Sequence, residues 1–131
     1  EVYKWKLMNV FTYIFRRYFT LSTFKDLHSL VEINQFIEEN ELAFLYFTTP
    51  TCSVCHGLKP QIEEMLKQYP EIKKANIDAS EVREAAGQFS VFAAPVLLLF
   101  VGGKEYIREA RIVYTQQLNE KIARIYENVV G

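Results

Sequence analysis

The chain has 131 residues, half of them hydrophobic, and its formal net charge at pH 7 is -1. This size fits one domain with its own core, and the near-neutral charge gives no reason to expect a nucleic-acid partner. Two cysteines are too few for a secreted scaffold held together by disulfides, and no apolar run approaches the ~18 residues of a transmembrane helix, so we expect no membrane partner.

Residues 1–22 form an aromatic and basic arm ahead of a domain that we expect to span residues 23–131. Polar residues interrupt the apolar part of the arm and no small-residue cleavage site follows it, which is atypical of a signal peptide. We expect the arm to pack on the domain or on a neighbour, which would allow a homodimer; an anchor on a membrane surface is the alternative. We also expect Met8 to be the natural start and the residues before it to come from a vector.

From residue 24 onward, runs of apolar residues predict strands separated by turn signals. The run at 42–47 is apolar throughout, which is typical of a central strand buried on both faces. Gly102 and Gly103 indicate a tight hairpin between the last two strands. The predicted strands span residues 24–27, 42–47, 72–77, 96–101 and 105–112.

Apolar residues at helical spacing predict helices at 30–39, after the first cysteine, after residue 81 and in the last seventeen residues. Three helix starts carry capping signals: Ser29 with Glu32, Asp78 with Glu81, and Thr115. Strands separated by single helices imply parallel pairing, and the final hairpin adds antiparallel strands. The pattern therefore predicts an α/β fold, a mixed central β-sheet flanked by helices on both faces.

The two cysteines lie in the stretch Thr-Cys-Ser-Val-Cys-His-Gly, at Cys52 and Cys55, with His56 directly after them. A haem attachment site, half of a zinc site and a redox dithiol all use this spacing. Haem fits poorly, because small c-type cytochromes are helical and Met65, a nominal second axial ligand, lies on an apolar helix stripe. Zinc requires four ligands, and His28, the fourth candidate, is far away in the sequence and is more typical of a surface histidine.

The redox dithiol agrees with the position of the motif between a buried strand and a helix. A helix N-terminus presents free backbone N–H groups and about half a positive charge, and both stabilise a thiolate. We therefore expect Cys52, near the N-cap, to be the exposed attacking thiolate. Cys55, one turn into the helix and more buried, resolves the mixed disulfide.

In these features the chain resembles the thioredoxin family over roughly residues 23–130. The resemblance lies in the Cys-x-x-Cys motif after a buried strand, Pro60 in the following helix, the stretch Lys-Lys-Ala-Asn-Ile-Asp at 73–78, and Ala94-Pro95 before the strand that leads to Gly102-Gly103. It implies a thioredoxin-like fold, a kink at Pro60, and a cis Ala94–Pro95 bond lying against the cysteine pair. The loop would then offer the Ala94 backbone to an extended substrate and hinder metal binding at the sulfurs, so we expect no metal and no cofactor.

Three departures from the family pattern lie in the substrate groove that the resemblance implies. Thr51 replaces the usual Trp before the first cysteine, and Ser53-Val54 replaces Gly-Pro. Arg111 stands where the family often has a glycine that lines the groove, and a cation there would narrow the groove and favour acidic substrate segments.

Three further positions are candidates for tuning the pKa values of the two thiols. Tyr46 occupies the position of a buried acid behind the second cysteine, and its unperturbed pKa of about 10 makes it a poor base at neutral pH. Lys74 matches the lysine that pairs with the missing acid. A protonated His56 would favour the Cys52 thiolate and a more oxidising disulfide; the alternative is an exposed histidine without effect.

These features predict a thiol–disulfide oxidoreductase that reduces protein disulfides in the cytoplasm and is itself reduced by a thioredoxin reductase, linked to NADPH, or by a small thiol. An exported or surface-tethered thiol oxidant or isomerase is the first alternative, because the buried acid and the Gly-Pro dipeptide are missing. A thioredoxin-fold binding module with an incidental dithiol is the second, and Tyr46 and Arg111 are its best support.

Overall fold

A computed structural model describes residues 24–131 of the protein, and the expectations about the arm at residues 1–22 fall outside the described residues. The strands are β1 (Lys25–Leu27), β2 (Leu42–Thr48), β3 (Lys73–Asp78), β4 (Val96–Val101) and β5 (Lys104–Ala110). The helices are α1 (Leu30–Glu39), α2 (Ser53–Leu66), α3 (Arg83–Phe89) and α4 (Thr115–Val129).

Within residues 24–131 the strands form one five-stranded sheet in the order β1-β3-β2-β4-β5. Strands β1, β3 and β2 run parallel, whereas β4 pairs antiparallel with β2 and β5 antiparallel with β4. The sheet is therefore mixed, as predicted. Strand β2 lies at the centre of the sheet, so the chain that follows its carboxyl end leaves from the middle of the sheet.

Both faces of the sheet are covered, because the side chains of β2 alternate between two hydrophobic clusters. Phe44 and Tyr46 point into a cluster with the apolar stripes of α2 and α4. Ala43, Leu45 and Phe47 point into a cluster with α1 and α3. The continuous apolar run of β2 is thus explained by burial on both faces, and the predicted α/β layering is confirmed.

Of the three capping signals predicted at Ser29, Asp78 and Thr115, only the one at Ser29 is confirmed. The Ser29 hydroxyl accepts a hydrogen bond from the Glu32 N–H at 3.1 Å, and the Glu32 carboxylate accepts one from the N–H of His28, one residue before the N-cap. Thr115 is not an N-cap but the first residue of α4; Tyr114 is the N-cap, and its side chain makes no capping bond.

The predicted second capping box is also wrong. Helix α3 begins at Arg83 after the N-cap Val82, which cannot accept a hydrogen bond through its side chain. Asp78 ends β3 and accepts hydrogen bonds from the N–H and hydroxyl of Ser80, because a short carboxylate readily closes a turn with the backbone two residues ahead. The sequence signal for a helix start here marks a turn.

Helix α2 ends at Leu66, and Pro60 lies inside it. Tyr69 is buried just beyond the end of this helix. Its ring packs on Tyr126 of α4, with centroids 5.1 Å apart, and its hydroxyl donates to Asn119. These contacts join the segment after α2 to α4, at the opposite end of α2 from the two cysteines.

Candidate active site

The two cysteines lie at the start of α2, just after the carboxyl end of the central strand β2. The backbone N–H of Cys52 donates to the Thr49 carbonyl at 3.2 Å, which closes the turn between the two elements. Cys52 is the N-cap of α2, and its Sγ accepts a hydrogen bond from the Cys55 N–H at 3.1 Å. The sulfur of Cys52 thus occupies the place where a helix N-terminus stabilises negative charge, as the sequence predicts.

Cys52 and Cys55 form a disulfide with their Cα atoms 5.3 Å apart, so the structure is that of the oxidised state. The two residues differ in exposure: Cys52 is half-buried, whereas Cys55 is only 1% exposed. An external thiolate or disulfide therefore reaches Cys52 more easily than Cys55. This difference agrees with the predicted roles of an attacking and a resolving cysteine.

Tyr46 is fully buried beneath the first turn of α2. Its hydroxyl donates a hydrogen bond of 2.6 Å to the carbonyl oxygen of Cys55. Burial raises the pKa of Tyr46 to about 12, so the phenol stays protonated at neutral pH. Tyr46 therefore donates a hydrogen bond to the backbone of Cys55, and a protonated phenol does not serve as a proton acceptor there.

The structure places Lys74 on β3, half-buried and beside an aromatic ring. Its Nζ lies 5.6 Å from the centroid of Phe24, and Nζ of Lys59, on α2, lies 5.4 Å from the same centroid. Burial lowers the pKa of Lys74. Phe24 in turn packs on the Tyr46 ring at 5.6 Å, so the cation contacts a ring behind the site in place of a buried carboxylate.

His56 is exposed in the first turn of α2, next to Cys55. Its Nε2 lies 3.4 Å from the Pro50 carbonyl oxygen, to which it can only donate. The ring thus lies on the turn that leads into the site, and its predicted influence on the Cys52 thiolate stays a prediction. His28, nominated as a zinc ligand, instead contacts Glu81 at 2.9 Å.

A second loop reaches the site from the start of β4. The Ala94–Pro95 peptide bond is cis, as the resemblance implies. Pro95 is buried, and Ala94 and Cys52, both half-buried, pack on the cluster that contains Cys55. The carbonyl of Pro95 accepts a hydrogen bond of 2.9 Å from the N–H of Arg111, so the residue after β5 adjoins the same loop. Long-range pairing thus brings together segments that are far apart in the sequence.

The groove residues chosen from the sequence lie on the exposed surface around the disulfide. Thr51, Ser53 and Arg111 are exposed, and Val54 is 60% exposed. Sequence reasoning missed three exposed apolar neighbours in the same segments: Phe92, Ile112 and Tyr114. Phe92 is 84% exposed only two residues before Ala94. Phe92 could have been identified as an aromatic residue that fits the apolar pattern of no predicted strand or helix.

Comparison with known proteins places this site in a family. The thioredoxin family profile matches residues 27–124, and the chain belongs to the thioredoxin family. A Bacillus subtilis relative, thioredoxin-like protein YdfQ, is 50% identical over 105 residues, covering 80% of this chain and 94% of that protein. Thioredoxin-1 of Saccharomyces cerevisiae is 34% identical over 74 residues, 56% of this chain and 72% of that protein.

Solved structures agree with this assignment. The X-ray structure of Fasciola hepatica thioredoxin superposes with a TM-score of 0.70 at 29% identity, covering 76% of this chain and 97% of that chain. A mutant thioredoxin from Halobacterium salinarum shares the fold at a TM-score of 0.71 and 21% identity, covering 83% of this chain and 95% of that chain.

With the Cys52–Cys55 pair in place, the protein is a thiol–disulfide oxidoreductase. Its partners, in general terms, are protein disulfides and the reductants that serve this family. Among residues 24–131, none of the helices combines the length and the hydrophobicity that a membrane span requires.

Proposed function

We propose that the protein works as a reductase of protein disulfides in the cytoplasm, with Cys52 as the attacking residue and Cys55 as the resolving residue. The observation that carries this proposal is the position of Cys52 Sγ. It caps α2, accepts the Cys55 N–H at 3.1 Å and is more exposed than its partner. A helix N-terminus favours the thiolate, which is the reactive form of cysteine.

The reaction begins from the reduced dithiol. The Cys52 thiolate attacks one sulfur of the substrate disulfide, the substrate S–S bond breaks, and the departing substrate thiolate takes a proton from water. Cys55 then loses its proton to solvent and attacks Cys52 Sγ. The mixed disulfide breaks, the second substrate thiol leaves, and two electrons have passed to the substrate. The protein is left in the disulfide state described above.

We assign substrate binding to the exposed residues around the sulfurs, Thr51, Ser53, Val54 and Arg111, and to the adjoining loop with the half-buried Ala94 and the buried Pro95. Support comes from the backbone of Ala94: neither its N–H nor its C=O makes a hydrogen bond within residues 24–131. An extended segment of the substrate can pair with these groups as an added strand. The exposed Val54 and Phe92 side chains supply apolar area for that segment.

The disulfide must be reduced again after each turnover. We propose a thioredoxin reductase, which draws electrons from NADPH, or a small thiol as the donor. We also propose that residues 1–22 are an arm separate from the domain and that they mediate a homodimer. Gel filtration of the chain with and without residues 1–20 tests the dimer, which should be lost with the arm.

The reduction potential tests the proposed direction of the reaction. The protein is equilibrated in defined glutathione or dithiothreitol buffers, and the free thiols of Cys52 and Cys55 are trapped and counted. A value near the thioredoxin potential of about −270 mV supports a reductase, whereas one well above about −200 mV contradicts it and indicates an oxidant or isomerase. Cell fractionation that finds the protein outside the cytosol would overturn the proposed location.

Two variants test the assigned roles separately. Cys55→Ser should trap a mixed disulfide through Cys52 with a protein substrate, because the resolving thiol is missing. Cys52→Ser should react with no substrate. If Cys52→Ser retains its function in cells, the dithiol is incidental and the binding-module alternative replaces this proposal.

A further inference from the structure

Arg111 has a backbone conformation that costs free energy for any residue with a side chain. Its φ is 66°, in the left-handed region that glycine adopts readily. In residues 24–131 the other non-glycine residue with positive φ is Ser90, which ends α3 in a common helix-ending conformation. Arg111 terminates no helix; it is the central residue of a tight turn where the chain leaves β5, in which the N–H of Ile112 donates to the Ala110 carbonyl at 2.8 Å, and a turn of this kind is strained for a residue with a side chain. Strained positions of this kind cluster at functional sites.

The guanidinium of Arg111 is available for a ligand. Its backbone N–H is held by the Pro95 carbonyl at 2.9 Å, which fixes the residue beside the cis-proline loop. Its side chain is exposed, and no described residue hydrogen bonds or pairs with the guanidinium. Arg108, three residues earlier, behaves differently: its guanidinium binds Glu105 and the Phe89 carbonyl, both at 2.7 Å or less. The guanidinium of Arg108 thus binds groups of the fold, whereas that of Arg111 has no partner among residues 24–131.

The segments that surround the disulfide contain basic residues and no acidic ones. Residues 49–62, 85–104 and 110–119, which supply the turn, the active-site helix start, the proline loop and the segment after β5, contain no Asp or Glu. Acidic residues do lie in the adjoining segments: Asp78 ends β3, Glu81 follows it, Glu84 lies in the first turn of α3, and Glu109, two residues before Arg111, binds Lys121 at 2.7 Å. Asp78 accepts hydrogen bonds from Ser80, and Glu81 contacts His28 at 2.9 Å, so both are already engaged.

We propose that Arg111 is a specificity-determining residue that selects substrate segments with a carboxylate side chain close to the reacting cysteine. The inference rests on the proposed function, because it requires an extended segment paired with the free backbone of Ala94 beside Pro95. Because the N–H of Arg111 donates to the carbonyl of Pro95, we expect the preferred carboxylate on a residue next to the reacting cysteine. A guanidinium binds a carboxylate through two parallel hydrogen bonds, which gives direction as well as charge attraction.

The test uses the full chain, reduced in advance and freed of reductant. It is mixed with self-quenched fluorescent peptide disulfides that differ only in having Glu, Gln or Lys beside the cysteine. We expect the second-order rate constant for the Glu peptide to exceed that for the Lys peptide by about two- to fivefold at low salt, which is the range of an exposed ion pair. The ratio should fall towards one as ionic strength rises.

Three variants isolate the side chain. Arg111→Gly should give equal rates for the Glu and Lys peptides, and Arg111→Glu should reverse their order. Arg124→Gln removes a cation from α4, away from the loops of the site, and should preserve the wild-type ratio. Arg124→Gln should also reduce the uncharged hydroxyethyl disulfide at the wild-type rate, and each Arg111 variant is judged by the ratio of its Glu and Lys rates, with the Gln peptide as its own reference.

The possible failures are distinguishable. Equal rates for the Glu and Lys peptides in the wild type, or a ratio that survives Arg111→Gly, would overturn the role of Arg111 and leave the reductase intact. If the reduced protein opens none of the peptide disulfides, the proposed function fails, and the specificity fails with it.

Discussion

Replacing Tyr46 with Phe tests whether the buried phenol holds the resolving cysteine in place. The change removes one hydroxyl from a fully buried ring and deletes the 2.6 Å hydrogen bond to the Cys55 carbonyl. A hydrogen bond of this kind contributes about 0.5–1.5 kcal/mol, and a buried acceptor left without its partner costs about 1–3 kcal/mol. We therefore expect the oxidised protein to lose about 1–2 kcal/mol of unfolding free energy. For a domain of this size, that loss lowers Tm by about 3–8 °C.

Urea denaturation of the oxidised protein followed by circular dichroism measures this loss. Tyr106→Phe is the matched control, since Tyr106 is exposed on β5 and its hydroxyl bonds to no described residue. The control should change stability by less than about 0.5 kcal/mol. A loss at Tyr46→Phe no larger than the control would refute the role we give to this hydrogen bond.

The same variant also tests whether Tyr46 takes part in proton transfer. Because burial raises the pKa of Tyr46 to about 12, the phenol neither gains nor loses a proton near neutral pH. The pH dependence of disulfide exchange should therefore be the same in the wild type and in Tyr46→Phe between about pH 6 and 9. A displaced profile would show that the phenol exchanges a proton with Cys55.

Three further predictions concern stability. Gly87→Ala should raise the unfolding free energy by about 1 kcal/mol in urea denaturation, because the residue lies within α3 and an added Cβ meets nothing within 4 Å. Arg111→Gly should raise it by about 1 kcal/mol, since glycine relieves the positive φ, and an unchanged midpoint would contradict the strain argument. Hydrogen bonding to Glu81 raises the pKa of His28. The pair therefore stabilises the fold fully below about pH 6.5, the pKa of an unperturbed histidine, and this stabilisation is lost as the pH rises through the raised pKa of His28. The stability difference between the wild type and Glu81→Gln should thus shrink from about pH 5.5 to 8.5, and a difference that is constant across this range would show that His28 is not the titrating partner.

The elements of this fold follow closely from local patterns. The apolar run of β2, the Gly102-Gly103 hairpin and the amphipathic stripes of the helices were all interpreted correctly, because burial imposes a period of two on strands and 3.6 on helices. Helix starts were less predictable. Thr115 and Asp78 have side chains that can cap, but such side chains also compete for other local hydrogen bonds, and the helices begin with different caps.

The candidate site could be predicted as far as its covalent chemistry. The spacing of the cysteines and their position between a buried strand and a helix were enough to identify the redox pair and the place of Cys52 at the helix N-cap; which cysteine attacks and which resolves stays a prediction. The resemblance to the thioredoxin family added the proline loop, which lies far along the chain from the cysteines. The sequence did not reveal Phe92, Ile112 and Tyr114, because the exposure of a side chain depends on the assembled surface and produces no periodic pattern along the chain.

The sequence by itself therefore determined the family, the fold class and the redox pair, since each depends largely on residues close together in the chain. Only the tertiary structure decided what surrounds that pair: that Tyr46 donates to the Cys55 backbone, that Arg111 adjoins Pro95 in a strained conformation, and that His28 contacts Glu81 rather than the sulfurs. The physical reason is that these contacts join residues brought together by strand pairing and packing. A side chain's pKa, its partners and its exposure are set by neighbours in space, which local periodicity does not encode.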